Sequence, residues 1–343
     1  MVLSALVLRC SRAVARACPA VALAKAGAWC LVLGAAACGG QGQGGDVRFL
    51  SIATGGTGGV YYPYGGALAR IYTEQVPGLQ VTAEVTGASV DNLKLIQQGR
   101  ADLAFTLADT LAEAVAGTGP FAEAGPVDVR AVAMLYTNVT HLVARQGSGI
   151  TRVADLKGTV VGTGAPGSGT ELIADRLLRA AGLNPRADIT RHALGASEGA
   201  GAIKDGKLDA LFWSGGLPTP AIQDLVSTPG LSVVFVPQAD LWPKLVATHG
   251  PGLYRTVTIP TGAYRGLDHD VTVIGVDNVL VASGALEADL VEVLTRAMFG
   301  SKAVLEAAHP EARHLTVPAG PGAAPAPFHE GARRYFHSRG WKD

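Results

Sequence analysis

Cysteine is missing from almost the whole chain. All four, Cys10, Cys18, Cys30 and Cys38, lie within the first 38 of 343 residues. A body without thiols avoids unwanted oxidation once exported. Acids are missing from the other end: none precedes Asp46, where Arg9, Arg12, Arg16 and Lys25 stand. After residue 38 no apolar run reaches the about 20 residues that a membrane-spanning helix needs. Charge is sparse at 16% and balanced, 28 basic against 28 acidic residues. No basic face is clustered enough for nucleic acid, so that partner is excluded.

Catalytic signatures are missing as well. The eight histidines are scattered, with no H-E-x-x-H or close pair at metal spacing, so no metal and no cofactor is expected. No Gly-Lys-Ser/Thr follows any glycine loop, which excludes a nucleotide P-loop. Gly167–Ser168–Gly169 lacks the G-x-S-x-G spacing of a nucleophile elbow.

What is present at the start is an export leader. The basic residues precede an apolar segment, 26–37, too short to cross a bilayer, and Leu31 to Ala37 leads into Cys38. Residues 1–37 read as a lipoprotein-type signal peptide, Cys38 as the acylated residue, and the glycine–glutamine stretch 38–46 as a flexible linker. The usual lipobox has Leu three residues before the cysteine; here that place is Ala35. An ordinary signal peptide cleaved near Ala37 is the alternative. Both place the folded body outside the cytoplasm, periplasmic or anchored at the outer face of a membrane by its N-terminal lipid.

The body alternates strand and helix patterns. Period-two and apolar runs predict strands over 47–53, 79–86 and 102–106. Helical spacing predicts helices over 60–75 and 89–99, the second stopped by Gly99. After an extended run over 129–144 the plan repeats, with strands at 159–162, 188–193 and 210–213 and helices at 168–181 and 198–206. A further helix is predicted from 218, and a strand over 231–236. The β-branched runs 256–259 and 271–283 cross back, and an amphipathic helix over 286–299 packs on them. Two similar α/β units joined by two crossing segments describe a two-lobed clamshell. Lobe I is placed at 47–138 plus 271–343, lobe II at 139–270.

Three glycine-rich loops fall where strands end and helices begin, the place where open α/β sheets bind ligands. They are Thr54–Gly59, Thr86–Ser89 and Gly162–Glu171. Each offers backbone N–H groups and hydroxyls at a helix start, which attracts anions. The third contains a literal G-x-G-x-x-G, but Pro166 stiffens it, and His192–Ala193–Leu194 stands where a ribose-binding acid belongs. Trp213–Ser214 ends an apolar strand and reads either as pocket wall or as core aromatic and turn. One of Tyr61 and Tyr62 faces a pocket and the other the core. Asp109 reads as a helix cap or as a receiver of a ligand ammonium.

These residues carry a resemblance. Thr57–Gly58–Gly59–Val60–Tyr61–Tyr62–Pro63, Thr86–Gly87–Ala88–Ser89–Val90–Asp91–Asn92, Gly99–Arg100–Ala101–Asp102–Leu103–Ala104–Phe105, Pro166 to Glu171, Pro218 to Ile222 and Ile259 to Gly262 resemble the TAXI family of solute-binding receptors for TRAP (tripartite ATP-independent periplasmic) transporters. The resemblance implies a type II-like periplasmic-binding-protein fold and a monomer without catalytic residues. It implies capture of a small organic anion or amino acid, glutamate-, glutamine- or dicarboxylate-like, and delivery to a TRAP membrane permease. By position it implies ligand contacts from Thr57, Gly58, Tyr61, Ser89, Asn92 and Asp109 in lobe I. From lobe II it implies Ser168, Gly169, Thr170, Trp213, Ser214 and Gly215. The family commonly has Gln-Ser before the acid aligned with Asp109, where this chain has Leu107 and Ala108, and Thr-Ala where it has Ser214–Gly215. An exported hydrolase using a cleft acid and a ligand-sensing lipoprotein are the other classes considered.

Overall fold

The computed structural model describes residues 47–342, so the signal peptide, Cys38 and the linker to residue 46 lie outside the described residues. The chain runs β1 (Arg48–Ala53), α1 (Tyr61–Gln75), β2 (Leu79–Glu84), α2 (Ser89–Gln97), β3 (Leu103–Leu107), α3 (Ala108–Ala116) and the 17-residue β4 (Val129–Arg145). It continues β5 (Val160–Gly162), α4 (Gly169–Ala180), β6 (Thr190–His192), α5 (Ala196–Lys204), β7 (Ala210–Gly215), α6 (Pro220–Val226), β8 (Val233–Phe235), α7 (Trp242–His249) and β9 (Arg255–Ile259). The 13-residue β10 (Val271–Ser283), α8 (Ala288–Gly300), α9 (Lys302–Ala308) and α10 (Glu330–Ser338) follow.

This is an α/β fold on one mixed sheet, ordered β2-β1-β3-β10-β4-β7-β5-β6, with β8 on β4 and β9 on β10. At one end β1 pairs in parallel with β2 and β3; at the other β5 pairs in parallel with β6 and β7. The two parallel triplets are the same β-α-β-α-β plan used twice. Between them run β4 and β10, antiparallel to each other and irregular in register around Asp277–Val279 and Leu280–Val281. Each joins one end to the other strand: β10 pairs with β3 through 278–282 and, further along, with β9 through 271–275. β4 pairs with β7 through 139–144. Long β-branched runs make this possible, because such side chains pack well on both faces of a central strand.

The helices bury the stripes that their spacing predicts. Tyr64, Leu68, Ile71 and Tyr72 of α1 are buried, as are Val291, Leu294 and Met298 of α8. Every residue of β3 is buried, as befits a strand inside the sheet between β1 and β10. Gly99 and Gly182 stand in the left-handed region just beyond α2 and α4, ending them as a glycine without Cβ allows. Three helices go beyond the sequence expectation. α3 starts at the residue after β3, so its alanine-rich run merges with the strand pattern. α7 and α9 are short at 8 and 7 residues and lack a long periodic stripe. Among the described residues no helix is long and apolar enough to cross a membrane.

Candidate functional site

Because parallel strands deliver their C-terminal ends to one side, four strand-to-helix turns face one another across the sheet. They line a cavity of about 370 Å3. From one end come the β1–α1 and β2–α2 turns, and from the other the β5–α4 and β6–α5 turns. Their helices all point N-termini at the hollow, so four positive dipole ends converge there.

The β2–α2 turn is held open by its own side chains. Thr86 Oγ1 accepts from Ala88 N at 3.0 Å and Asp91 Oδ2 from Gly87 N at 3.0 Å. Ala88 sits at φ 81°, ψ −144°, a region otherwise left to glycine. The β5–α4 turn is tied the same way: Ser168 Oγ accepts from Glu171 N at 3.0 Å and Glu171 Oε2 from Gly167 N at 2.8 Å. Among the described residues, no internal hydrogen bond engages the N–H groups of Ser89, Gly169, Thr170 or Ser197.

The hydroxyls complement these amides. Ser168 accepts as above, Thr170 Oγ1 accepts from Ser214 N at 3.1 Å, and Ser214 Oγ accepts from Asn138 Nδ2 at 3.2 Å. A hydroxyl whose oxygen already accepts keeps its own hydrogen for an acceptor such as a carboxylate. Ser89 Oγ accepts from Leu107 N at 3.2 Å. Below lies a polar floor: the Tyr61 hydroxyl donates to Asn278 Oδ1, and Asn278 Nδ2 donates to Asn138 Oδ1 at 2.7 Å and Tyr136 O at 3.1 Å. Burial pushes the Tyr61 and Tyr136 phenols up, so both are neutral. Trp213, its Nε1 donating to Thr219 Oγ1 at 2.9 Å, adds an aromatic wall with Leu107 and Val85.

The rims touch. Gly167 O accepts from Val90 N at 3.0 Å and Asp91 N at 3.1 Å, and Gly58 O from Ala221 N at 3.4 Å. A Cβ on Gly87 would lie 2.7 Å from Pro166 O, and one on Gly169 would meet Leu107 Cδ1 at 2.5 Å. Glycine is what lets the backbones approach this closely.

Ten of the twelve residues singled out from the sequence meet at this cavity: Thr57, Gly58, Tyr61 and Ser89 on one side, and Ser168, Gly169, Thr170, Trp213, Ser214 and Gly215 on the other. Two do not line it. Asn92 is buried with its amide on the carbonyls of Ala53, Thr54 and Phe105 at 3.2, 2.7 and 2.7 Å, so it fastens the turns together from behind. Asp109 is buried with Oδ1 accepting from Thr110 N at 2.7 Å and Oδ2 from Arg176 and from the Tyr254 hydroxyl at 2.8 Å. Neither of the sequence alternatives for Asp109, pocket acid or plain cap, includes this ion pair. Arg176 also binds Glu113, in a second hollow of about 240 Å3 that includes His249. Burial pushes the Glu113 carboxyl up, and Arg176 opposes this.

The sequence reading missed Asn138 and the segment 193–198, which forms a full wall of the cavity. The signal was there: Gly195–Ala196–Ser197 repeats Gly87–Ala88–Ser89 at the equivalent turn of the second triplet.

The NMT1-like family matches residues 52–340. A solved structure from Bordetella bronchiseptica RB50 aligns with a TM-score of 0.51 at 17% identity, covering 85% of this chain and 88% of that one. It shows a shared fold. The alkanesulfonate-binding protein SsuA from Xanthomonas axonopodis pv. citri, bound to MOPS, aligns at 0.47 with 18% identity, over 79% and 85% of the two chains. The periplasmic aliphatic sulphonate binding protein SsuA from Escherichia coli aligns at 0.42 with 18% identity, over 77% of each.

Proposed function

We propose that this chain, which belongs to the NMT1-like family, is an extracytoplasmic solute-binding receptor that captures a small organic anion or amino acid and hands it to a membrane importer. The observation that supports the reading is the convergence of four helix N-termini on one cavity, with free main-chain N–H groups and hydroxyls on both sides of it. A carboxylate there meets N–H groups from Ser89 on one side and from Gly169 and Thr170 on the other. Charge-assisted bonds of this kind are stronger than neutral ones, and stronger again where water is shut out. A micromolar dissociation constant needs about −8 kcal/mol, within reach of several such bonds and a carbon chain laid on Trp213.

The reading is of binding without bond breaking. Among the described residues, none of the hydroxyls of Ser89, Ser168, Thr170 and Ser214 is hydrogen-bonded to a histidine or a carboxylate. Lobe I is proposed as 47–138 plus 271–343 and lobe II as 139–270. They would move about β4 and β10 and close where Gly167 meets Val90 and Asp91. The ligand favours the closed form only through contacts to both sides at once. The finer proposal is a TAXI-type receptor serving a TRAP permease, held at the membrane by acylated Cys38, with glutamate-, glutamine- or dicarboxylate-like solutes as the ligand class.

The test is mass spectrometry of solute that co-purifies, then a thermal-shift and calorimetric screen of amino acids and dicarboxylates. The expected result is one or more small carboxylates bound one to one, without turnover. Turnover of a bound metabolite, or silence across both classes, refutes the reading. Intact-mass analysis of the exported form, showing or lacking diacylglycerol on Cys38, decides the anchor.

A further inference from the structure

The floor of the cavity is a relay of hydrogen bonds whose direction is set at one point, where β4 and β10 slip out of register. Asp277 stands against Thr137 but Val279 against Met134, so Leu135 and Tyr136 face Asn278 alone. Such a bulge interrupts the ladder and re-aims a side chain. Asn278 is 1% exposed and does not itself line the cavity. Its Nδ2 lies 3.1 Å from the Tyr136 carbonyl oxygen. A backbone carbonyl only accepts, so the end of the Asn278 amide that meets it is the NH2.

The rest of the relay follows from that end. The same Nδ2 donates at 2.7 Å to Asn138, which must therefore present Oδ1. The other end of Asn138 is then its NH2, which donates to Ser214 Oγ at 3.2 Å. Behind, Asn278 Oδ1 accepts from the Tyr61 hydroxyl. Every donor from Tyr61 to Asn138 points toward Ser214, and bonds aligned in this way polarise one another. Were Asn138 turned over, Ser214 would face a carbonyl oxygen and give its hydrogen to that. Asn278 forbids the turn, because two NH2 groups would then meet. Among the described residues no hydrogen bond uses the Ser214 hydroxyl hydrogen, and Asn138 and Ser214 both line the cavity. Resting on the reading of this cavity as a small-carboxylate site, we propose that Asn278 is a positioning residue for ligand binding. Without touching the solute it locks the Asn138 amide, so that Ser214 offers its hydrogen to the bound carboxylate. The same atoms turned over would offer lone pairs, which a carboxylate repels.

The experiment is calorimetry on the full chain, stripped of solute by unfolding and refolding, with L-glutamate, L-glutamine and succinate as probes. At least one probe is expected to bind the wild type one to one. Ser214→Ala should weaken it about tenfold or more, the loss of one hydrogen bond to a charged group. Asn278→Leu should weaken it at unchanged stoichiometry, and in the Ser214→Ala background should add less than about twofold. A packing role alone would multiply the two losses instead. Asn138→Asp keeps the acceptor for Asn278 but has no NH2, so it draws the Ser214 hydrogen to itself and should weaken the probe at least as much as Ser214→Ala. Multiplying losses for Ser214→Ala and Asn278→Leu, or wild-type affinity in any of the three single variants, overturns this inference and leaves the small-carboxylate reading standing. Should Asn278→Leu fail to fold by circular dichroism, Ser214→Ala and Asn138→Asp decide by the same criterion. No heat and no melting shift from any of the three probes overturns that reading and this inference with it.

Discussion

Gly87→Ala tests the closing seam most directly. The added Cβ would lie 2.7 Å from Pro166 O, a backbone atom that cannot rotate away. Carbon–oxygen contacts settle at about 3.3–3.6 Å, so the rims must part by roughly 0.6 Å or more. The neighbouring bonds from Val90 N and Asp91 N to Gly167 O, at 3.0 and 3.1 Å, are then stretched past useful length. Two backbone bonds at about 0.5–1.5 kcal/mol each amount to roughly 1–3 kcal/mol against the closed form. That corresponds to a loss of about 5–150-fold in affinity. The assay is calorimetry with whichever small carboxylate raises the wild-type melting temperature, alongside circular dichroism of the unliganded variant. Because Gly87 and Pro166 belong to opposite sides of the cavity, the variant should fold normally. An unchanged dissociation constant would refute the seam. A variant that is weak only because it is unfolded would refute the claim that the contact forms on closing.

Four further expectations follow from other parts of the molecule. Gly66→Ala places a methyl in open space on α1 and should stabilise the protein by about 0.5–1 kcal/mol in a denaturant titration, with ligand affinity unchanged. Arg176→Ala strands the buried Asp109 carboxylate and should cost about 3–5 kcal/mol by the same measurement; a near-neutral result would show the pair to be hydrated. His141 is buried, its Nε2 2.9 Å from the Tyr264 hydroxyl, and burial holds its imidazole down at about 4. The unfolded chain binds that proton first, so stability is full above the ordinary value of about 6.5 and falls between there and about pH 4, by on the order of 3 kcal/mol; His141→Asn should flatten this part of the pH profile. Ser89→Ala removes the acceptor for Leu107 N, so it should lower stability by about 1–2 kcal/mol as well as weaken binding, and loss of neither would dismiss Ser89 from the site.

Most of the architecture was legible because strand and helix periods differ and the glycines punctuate them. The repeated β-α-β-α-β plan, the two crossing runs and the loops at the strand ends all follow from local pattern. What escaped depends on distance. Asp109 looked available because Arg176, its partner, lies 67 residues away in sequence. Asn92 has the chemistry of a ligand contact, but its position one turn into α2 turns its amide toward three backbone carbonyls, which no local pattern reveals. The 193–198 wall was overlooked for a different reason: β6 is only three residues long, so the turn after it lacks a strong strand signal. The α3 helix was hidden by following its strand without a break.

Arg176 reaches from α4 to two acids of α3 on the other side of the molecule. Charged groups that shed their hydration to meet across a gap recover roughly what they gave up. Such a fastening fixes where the two sides come to rest while adding little to how tightly they cling. For the carrier proposed above, which must let go of its cargo, a clasp of this kind guides the fit without making the grip permanent.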